Sequence, residues 1–173
     1  MEHWIVYDLA SGEPRWRGSG PEGAGRAQPL SDGLGLVVVP QAVIAGADLD
    51  LTTLRTAVAS TVDAQAEKAR QLFVTPGAGQ AMTYTRKEAE ARAWVADNGA
   101  ATPFLSAEAA ARGMTVADLA AEVIQLADAW VVIGSTIEAL RMAAKAAVTT
   151  AGNLGAIVAA GQIDWSVLVA QDA

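Results

Sequence analysis

Residues 115–151 read TVADLAAEVIQLADAWVVIGSTIEALRMAAKAAVTTA. With Val116 as the first residue of a heptad, the two seam positions are Val116, Leu119, Val123, Leu126, Trp130, Ile133, Ile137, Leu140, Ala144, Ala147 and Ala151, apolar at every step. The charged residues Asp118, Glu122, Asp128, Glu138, Arg141 and Lys145 all lie off this seam. Such a pattern predicts one long helix that packs a narrow face against partner helices. Unbroken, it would extend about 55 Å at ~1.5 Å per residue, more than a small domain needs for its own core. Thr115 and Asp118 form a capping pair at its start. Gly134-Ser135-Thr136-Ile137-Glu138 could open a new helix, but the heptad register passes through Gly134 without slipping, so a continuous helix is expected. Its large apolar residues fill the seam from Val116 to Leu140. From Ala144 onward only small ones remain, and Ala144, Ala147 and Ala151 are candidate contacts for another subunit.

Upstream, Leu51, Leu54, Val58, Val62, Ala66 and Ala69 recur at helical spacing, with Asp50 or Thr52 available as N-cap, and predict a helix over about 51–73. Pro76 and the glycines of VTPGAG (74–79) break it. A second helix is expected over 80–97, where Tyr84, Lys87, Ala91, Trp94 and Val95 share a face and Asn98-Gly99 provides a stop. A short helix follows before Gly113. Leu154–Ala160 suggests another short helical turn, and Ile163-Asp164-Trp165 an apolar latch.

The first fifty residues differ in kind. Trp4-Ile5-Val6-Tyr7 is a β-prone run, Leu9-Ala10-Ser11-Gly12 supplies a turn, and Glu13–Gly18 returns, which predicts a hairpin. The segment GSGPEGAGRAQP (18–29) is too poor in apolar residues to pack and reads as a linker. Leu34–Val39 is a further strand ended by Pro40. Because an isolated hairpin is marginal in water, this arm should complete its sheet against the helical body, a sister subunit or another protein. The expected fold is therefore mainly α: a bundle of three main helices, one of them long and heptad-patterned, over 51–173, with a small N-terminal β hairpin arm and Gly/Pro-rich linker over 1–50.

Composition restricts function more than it defines it. Of 173 residues 19 are acidic and 12 basic, for a net charge of −7, and the basic residues are scattered. Nucleic-acid binding needs a clustered cationic face, so it is not expected. With no cysteine, a thiolate nucleophile, a disulfide scaffold and a thiolate metal site are excluded. The beginning of the chain is unlike a secretory signal. Residues 146–163 are uncharged, yet their Thr149, Thr150, Asn153, Gln162 and three glycines argue against a membrane span.

No catalytic, cofactor or metal constellation stands out. His3 is the only histidine and has no second imidazole. The glycines of GSGPEGAGR lack the Lys-Ser/Thr ending of a phosphate loop. Glu88 and Glu90, two residues apart on a helix, point away from each other. Glu138 and Arg141 face each other at i and i+3. With Tyr84, Lys87 and Glu90 they could form a structural polar network between helices that fixes their register. Of the five tryptophans, Trp94, Trp130 and Trp165 sit in apolar contexts suited to a core. Trp4 and Trp16 lie on a hairpin too small to bury them, and are candidate partner contacts.

Taken together, the hairpin with its Ser-Gly-Glu turn, the Gly-rich link, Tyr84-x-x-Lys87-x-x-Glu90-Ala91, Pro103-x-Leu105, Gly113-x-Thr115, Trp130 and Ile137-Glu138-x-x-Arg141 resemble a family of small phage proteins associated with tail fibres and spikes. Their C-terminal helical domain has no assigned chemistry. The middle link, LGLVVVPQAVIAG (34–46), departs from that pattern. The resemblance implies a non-enzymatic structural component of a phage or phage-derived particle, such as a gene transfer agent, assembled in the bacterial cytoplasm. Such a component would join a fibre or spike to the tail or capsid through homo-oligomerisation and arm docking. The alternative it implies is an assembly chaperone absent from the mature particle.

Overall fold

A computed structural model describes residues 1–171. Its elements are β1 (Glu2–Asp8), β2 (Pro14–Gly20), β3 (Leu34–Val39), α1 (Gln41–Ile44), α2 (Leu51–Arg70), α3 (Ala78–Ala96), α4 (Pro103–Arg112), α5 (Val116–Thr150) and α6 (Leu154–Ala160), followed by a 3₁₀ segment, Trp165–Gln171. The fold is mainly α with a small antiparallel N-terminal sheet, as the periodicities predict. Residue 50 is not where the compact parts divide. One unit is Met1–Glu67 with the chain from Glu138 onward, and the other is Lys68–Ile137; α2 and α5 each contribute to both.

In the first unit the strands run in the order β2-β1-β3, both pairs antiparallel. Both faces of β1 are covered, one by the helices and the other, at Trp4, by the glycine-rich segment, which explains the unbroken apolar run WIVY where a one-sided strand would alternate. Ile5 and Tyr7 face one way and join Val39, Val43, Leu54, Val148, Leu154, Ile157 and Val158 in a buried cluster. This core draws on β1, β3, α1, α2, α5 and α6. The arm expected to dock on a neighbour thus finds its main apolar partner within its own unit.

Trp4 and Val6 face the other way and are also buried. Here the Gly-rich segment corrects the expectation of an unpacked linker. A Cβ added at Gly18 would fall 2.3–2.5 Å from the Trp4 indole, and one at Gly25 3.4 Å from it. The Glu2 carboxylate accepts the N–H groups of Gly23 and Gly25 at 3.1 and 2.8 Å and holds the segment in place. Glycine is what lets backbone lie directly on a large ring, so a stretch poor in apolar side chains packs without needing any.

The β1–β2 turn is tied to α6. Asp8 Oδ1 accepts from the Ala10 and Ser11 N–H groups, and Gly12 takes φ +75°. Asn153 caps α6 by accepting from Ala156 N at 2.8 Å, and donates through Nδ2 to Ser11 O at 3.0 Å. Gly155 N donates to Gly12 O at 3.0 Å. A Cβ at Gly155 would lie 2.4 Å from the Gly12 Cα, so only glycine permits this approach.

In the second unit α3, α4 and the beginning of α5 enclose Ala91, Leu105, Ala109, Leu119 and Ala120, flanked by Trp94, Met114, Val116, Val123 and Ile124. Small residues at the centre allow close helix packing. Gly113 ends α4 in the left-handed conformation, φ +66°, with its N–H returned to the Ala109 and Ala110 carbonyls.

The long helix is continuous through Gly134. Ser135 and Thr136 do not cap a new helix; both hydroxyls donate back to the Val132 carbonyl at 2.9 Å. Gly134 leaves room for Trp130, whose ring would be 3.1 Å from a Cβ there. At the helix start Thr115 Oγ1 accepts from Asp118 N and donates to the Asp118 carboxylate, as the sequence predicts.

Candidate functional site

The five residues expected to form one polar network divide between the two units, and most of their partners are not those the spacing suggested. In the first unit Arg141 takes Glu138 by Nε and Nη2, the expected i, i+3 pair, and its Nη1 reaches Asp63 of α2 at 2.6 Å. Lys145, one turn further along α5, also takes Asp63, at 2.7 and 3.0 Å. Asp63 was not visible as a partner because it lies seventy-eight residues from Arg141. Lys145 first, then Arg141, hold its carboxyl below the ordinary aspartate value, and Glu138 with Asp63 raises the Arg141 guanidinium. Through these bonds the group clamps α2 to α5.

In the second unit Lys87 donates to Glu108 of α4 at 2.8 Å and stands 5.4 Å from the centroid of the Tyr84 ring, a cation–π distance. The Tyr84 hydroxyl bonds Thr75 Oγ1 at 3.0 Å. Glu90 is buried, which a spacing argument could not foresee. Its Oε2 accepts the N–H groups of Phe104 and Leu105 at 2.9 and 3.1 Å, and Oε1 accepts from Arg86 Nε at 3.1 Å. Thr102 makes no side-chain cap on α4, so a carboxylate from α3 fills that role at a helix start that carries partial positive charge.

The histidine has a serine partner that the sequence reading missed. His3 Nδ1 lies 2.7 Å from Ser19 Oγ, directly across the β1–β2 pair, a cross-strand contact that fixes register. An open cleft of about 450 Å³ beside it is lined by Met1, Glu2, Glu22, Val38, Val39, Pro40 and Gln41 with His3. Glu2 already serves the Gly23 and Gly25 amides. A cleft of about 200 Å³ lies in the same unit between β3, α2 and the end of α6. Among the described residues no group of three or more His, Asp or Glu side chains could hold a metal ion, and no helix is long and apolar enough to cross a membrane.

The candidate partner contacts separate sharply. Trp4 is 5% exposed and Trp16 46%: Trp4 is core, because the backbone at Gly18, Gly20 and Gly25 lies against its ring, whereas Trp16 on edge strand β2 remains available. Ala144 is buried, and Ala151 packs against the cluster around Ile157. Arg55 Nη2 also bonds the Ala151 carbonyl at 2.7 Å. The small-residue end of α5 is thus largely used by this chain itself, leaving Ala147 exposed. Trp94, Trp130 and Trp165 are half-buried; Trp165 Nε1 donates to Gln65 Oε1 at 3.2 Å.

What the pattern missed is the middle of α5. Leu126, a seam residue, is 63% exposed, and Val131 and Val132 are 62% and 55% exposed. An α-helix has 3.6 residues per turn, so a 3.5-residue seam drifts about 20° per heptad. Over this length one flank cannot stay covered, and LADAWVV (126–132) is apolar on nearly all sides. Val95 of α3, placed on its packing face by spacing, is exposed as well. Compared with known proteins, the chain matches no family model, no curated protein and no solved structure.

Proposed function

We propose that this chain is a structural component of a phage or phage-derived particle, such as a gene transfer agent, which joins a fibre or spike to the tail or capsid and assembles with copies of itself. The observation that carries the reading is the uncovered apolar stretch of α5. Leu126, Val131 and Val132 stand largely in solvent on a stretch of helix that is apolar on nearly all sides, and such stretches are normally buried. The motifs around Tyr84, Lys87, Glu90, Gly113, Trp130 and Arg141 supply the particle context through their resemblance to fibre-associated phage proteins. Lys87, Glu90, Arg141 and Lys145 are engaged in ion pairs and a helix cap, a use that suits a scaffold.

Mass spectrometry of purified particles tests this directly. A stoichiometric set of peptides from this chain is expected. Abundant chain in the producing cell with none in the finished particle would replace the reading by an assembly chaperone, and a chain unassociated with particles at every stage would end both.

A further inference from the structure

The link between α3 and α4 begins Asp97-Asn98-Gly99. It holds the chain's only Asn-Gly pair; the other asparagine, Asn153, precedes a leucine. An asparagine followed by glycine carries an intrinsic reaction. With no Cβ beside it, the glycine nitrogen has a clear path to the asparagine side-chain carbonyl carbon and can close a five-membered imide. Asn98 and Gly99 are both exposed, so water reaches the reacting atoms. Asn153 differs on each count. It is half-buried, Leu154 after it is buried, and its amide is bonded at both atoms, accepting from Ala156 N and donating to Ser11 O.

We infer that Asn98 is a site of spontaneous deamidation and isoaspartate formation, and that Asp97 restrains its rate. In the reaction the Gly99 nitrogen bonds to Asn98 Cγ, the bond from Cγ to Nδ2 breaks, and ammonia leaves with the proton that Gly99 gave up. Water then opens the imide at one carbonyl or the other, leaving aspartate or isoaspartate. The turn holds back the first step. Gly99 N donates to Asp97 Oδ1 at 2.9 Å, so the one nitrogen that must attack is already engaged. Ala100 N donates to Asp97 O at 2.9 Å and closes the turn that fixes the torsions of Asn98 and Gly99. The three atoms nearest to a Cβ added at Gly99 all belong to the Asp97 carboxyl, the first at 3.2 Å. Restraint therefore falls to that side chain. Isoaspartate would carry the main chain through the former side chain and lengthen the link by one methylene, just ahead of the α4 start that has to meet Glu90. The inference rests on this link alone and is independent of any role in a particle.

Tryptic digestion isolates residues 93–112, in which Asn98 is the only side-chain amide, so conversion reads as the mass change from amide to acid. The folded full chain is aged at neutral pH beside the free 93–112 peptide. The wild type should convert at Asn98, more slowly than the peptide, while Asn153 stays intact. Asp97→Ala should convert about two- to tenfold faster than the wild type, the factor that one ordinary hydrogen bond represents. Asp97→Ser, whose hydroxyl makes the same turn more weakly, should fall between them. An unchanged Tm in both variants would place the acceleration in the turn and not in unfolding. A wild type that keeps Asn98 intact while the peptide converts fully overturns the site. An Asp97→Ala chain that converts no faster than the wild type overturns the restraint, and a slower one would make the carboxylate the base that draws off the Gly99 proton.

Discussion

Single glycines set what this chain can bury. At Gly18 a methyl group would penetrate the Trp4 indole, and Trp4 cannot retreat because its own strand is central and its ring is covered by the glycine segment. Gly18→Ala should therefore cost about 1–3 kcal/mol, the range for overpacking a filled core, read as a lowered urea midpoint. Gly79, near the start of α3, has nothing within 4 Å of an added Cβ. Gly79→Ala should leave stability unchanged or raise it by up to about 1 kcal/mol, since alanine favours helix and restricts the unfolded chain. Opposite signs for one chemical change would show that glycine is required by contact at one site and not at the other. Among the described residues Trp4 Nε1 and Arg55 Nε find no hydrogen-bond partner; the tight cover over Trp4 accounts for the first.

Among the elements, α4 depends most on a neighbour. Pro103 gives it a favourable first residue, but two of its free N–H groups are satisfied by Glu90 from α3. Glu90→Ala leaves the buried Leu105 N–H and the part-buried Phe104 N–H without that acceptor and should cost about 1–3 kcal/mol. Glu90→Gln, which keeps one acceptor oxygen, should recover part of the loss in the same unfolding measurement. By contrast α2 is capped locally: Asp50 Oδ1 accepts from Thr52 N and Thr53 N, both at 3.0 Å. Asp50→Ala should lower stability by about 0.5–2 kcal/mol. That cap was legible in the sequence because a local cap sits within three residues of its helix. The Glu90 cap was not, because its acceptor and donors are fourteen and fifteen residues apart and meet only once α3 and α4 pack.

For the whole molecule, acid is the revealing variable. Asp63 is held below its ordinary value of 3.8 by Lys145 and Arg141, and Glu108 below 4.5 mainly by Lys87. Asp8 is shifted the same way, first by Arg15 and then by Ser11. A lowered carboxyl pKa means that the unfolded chain binds protons more readily than the native one. These groups therefore stabilise the fold above their ordinary values, and that contribution fades as pH falls from about 4.5 towards the lower native values. Tm should be flat near neutrality and decline below about pH 4.5, with Asp63→Asn giving a shallower decline. Assembly is a separate whole-molecule property. Leu126→Glu and Val132→Glu, at exposed positions, should leave Tm nearly unchanged, yet reduce any higher-order association seen by sedimentation at high concentration. If association persists undiminished, the α5 face is not its route.

Periodicity and local chemistry by themselves determined the mainly α fold, the strands, the continuous α5, its Thr115 cap and the pairing of Glu138 with Arg141. All of these are set by residues within a few positions of one another, where backbone geometry fixes who meets whom. Only tertiary structure decided that Trp4 is core and Trp16 is surface, since that turns on the glycine segment folding back over the Trp4 ring. The same holds for the glycine link, which composition marks as unable to pack because composition counts side chains, and here the packing surface is backbone. Asp63 as the acceptor shared by Arg141 and Lys145 is a meeting across the chain, beyond what spacing can express. The heptad seam named the apolar residues of α5 but not their cover, because a 3.5-residue pattern drifts around a 3.6-residue helix and which flank is buried depends on what packs beside it.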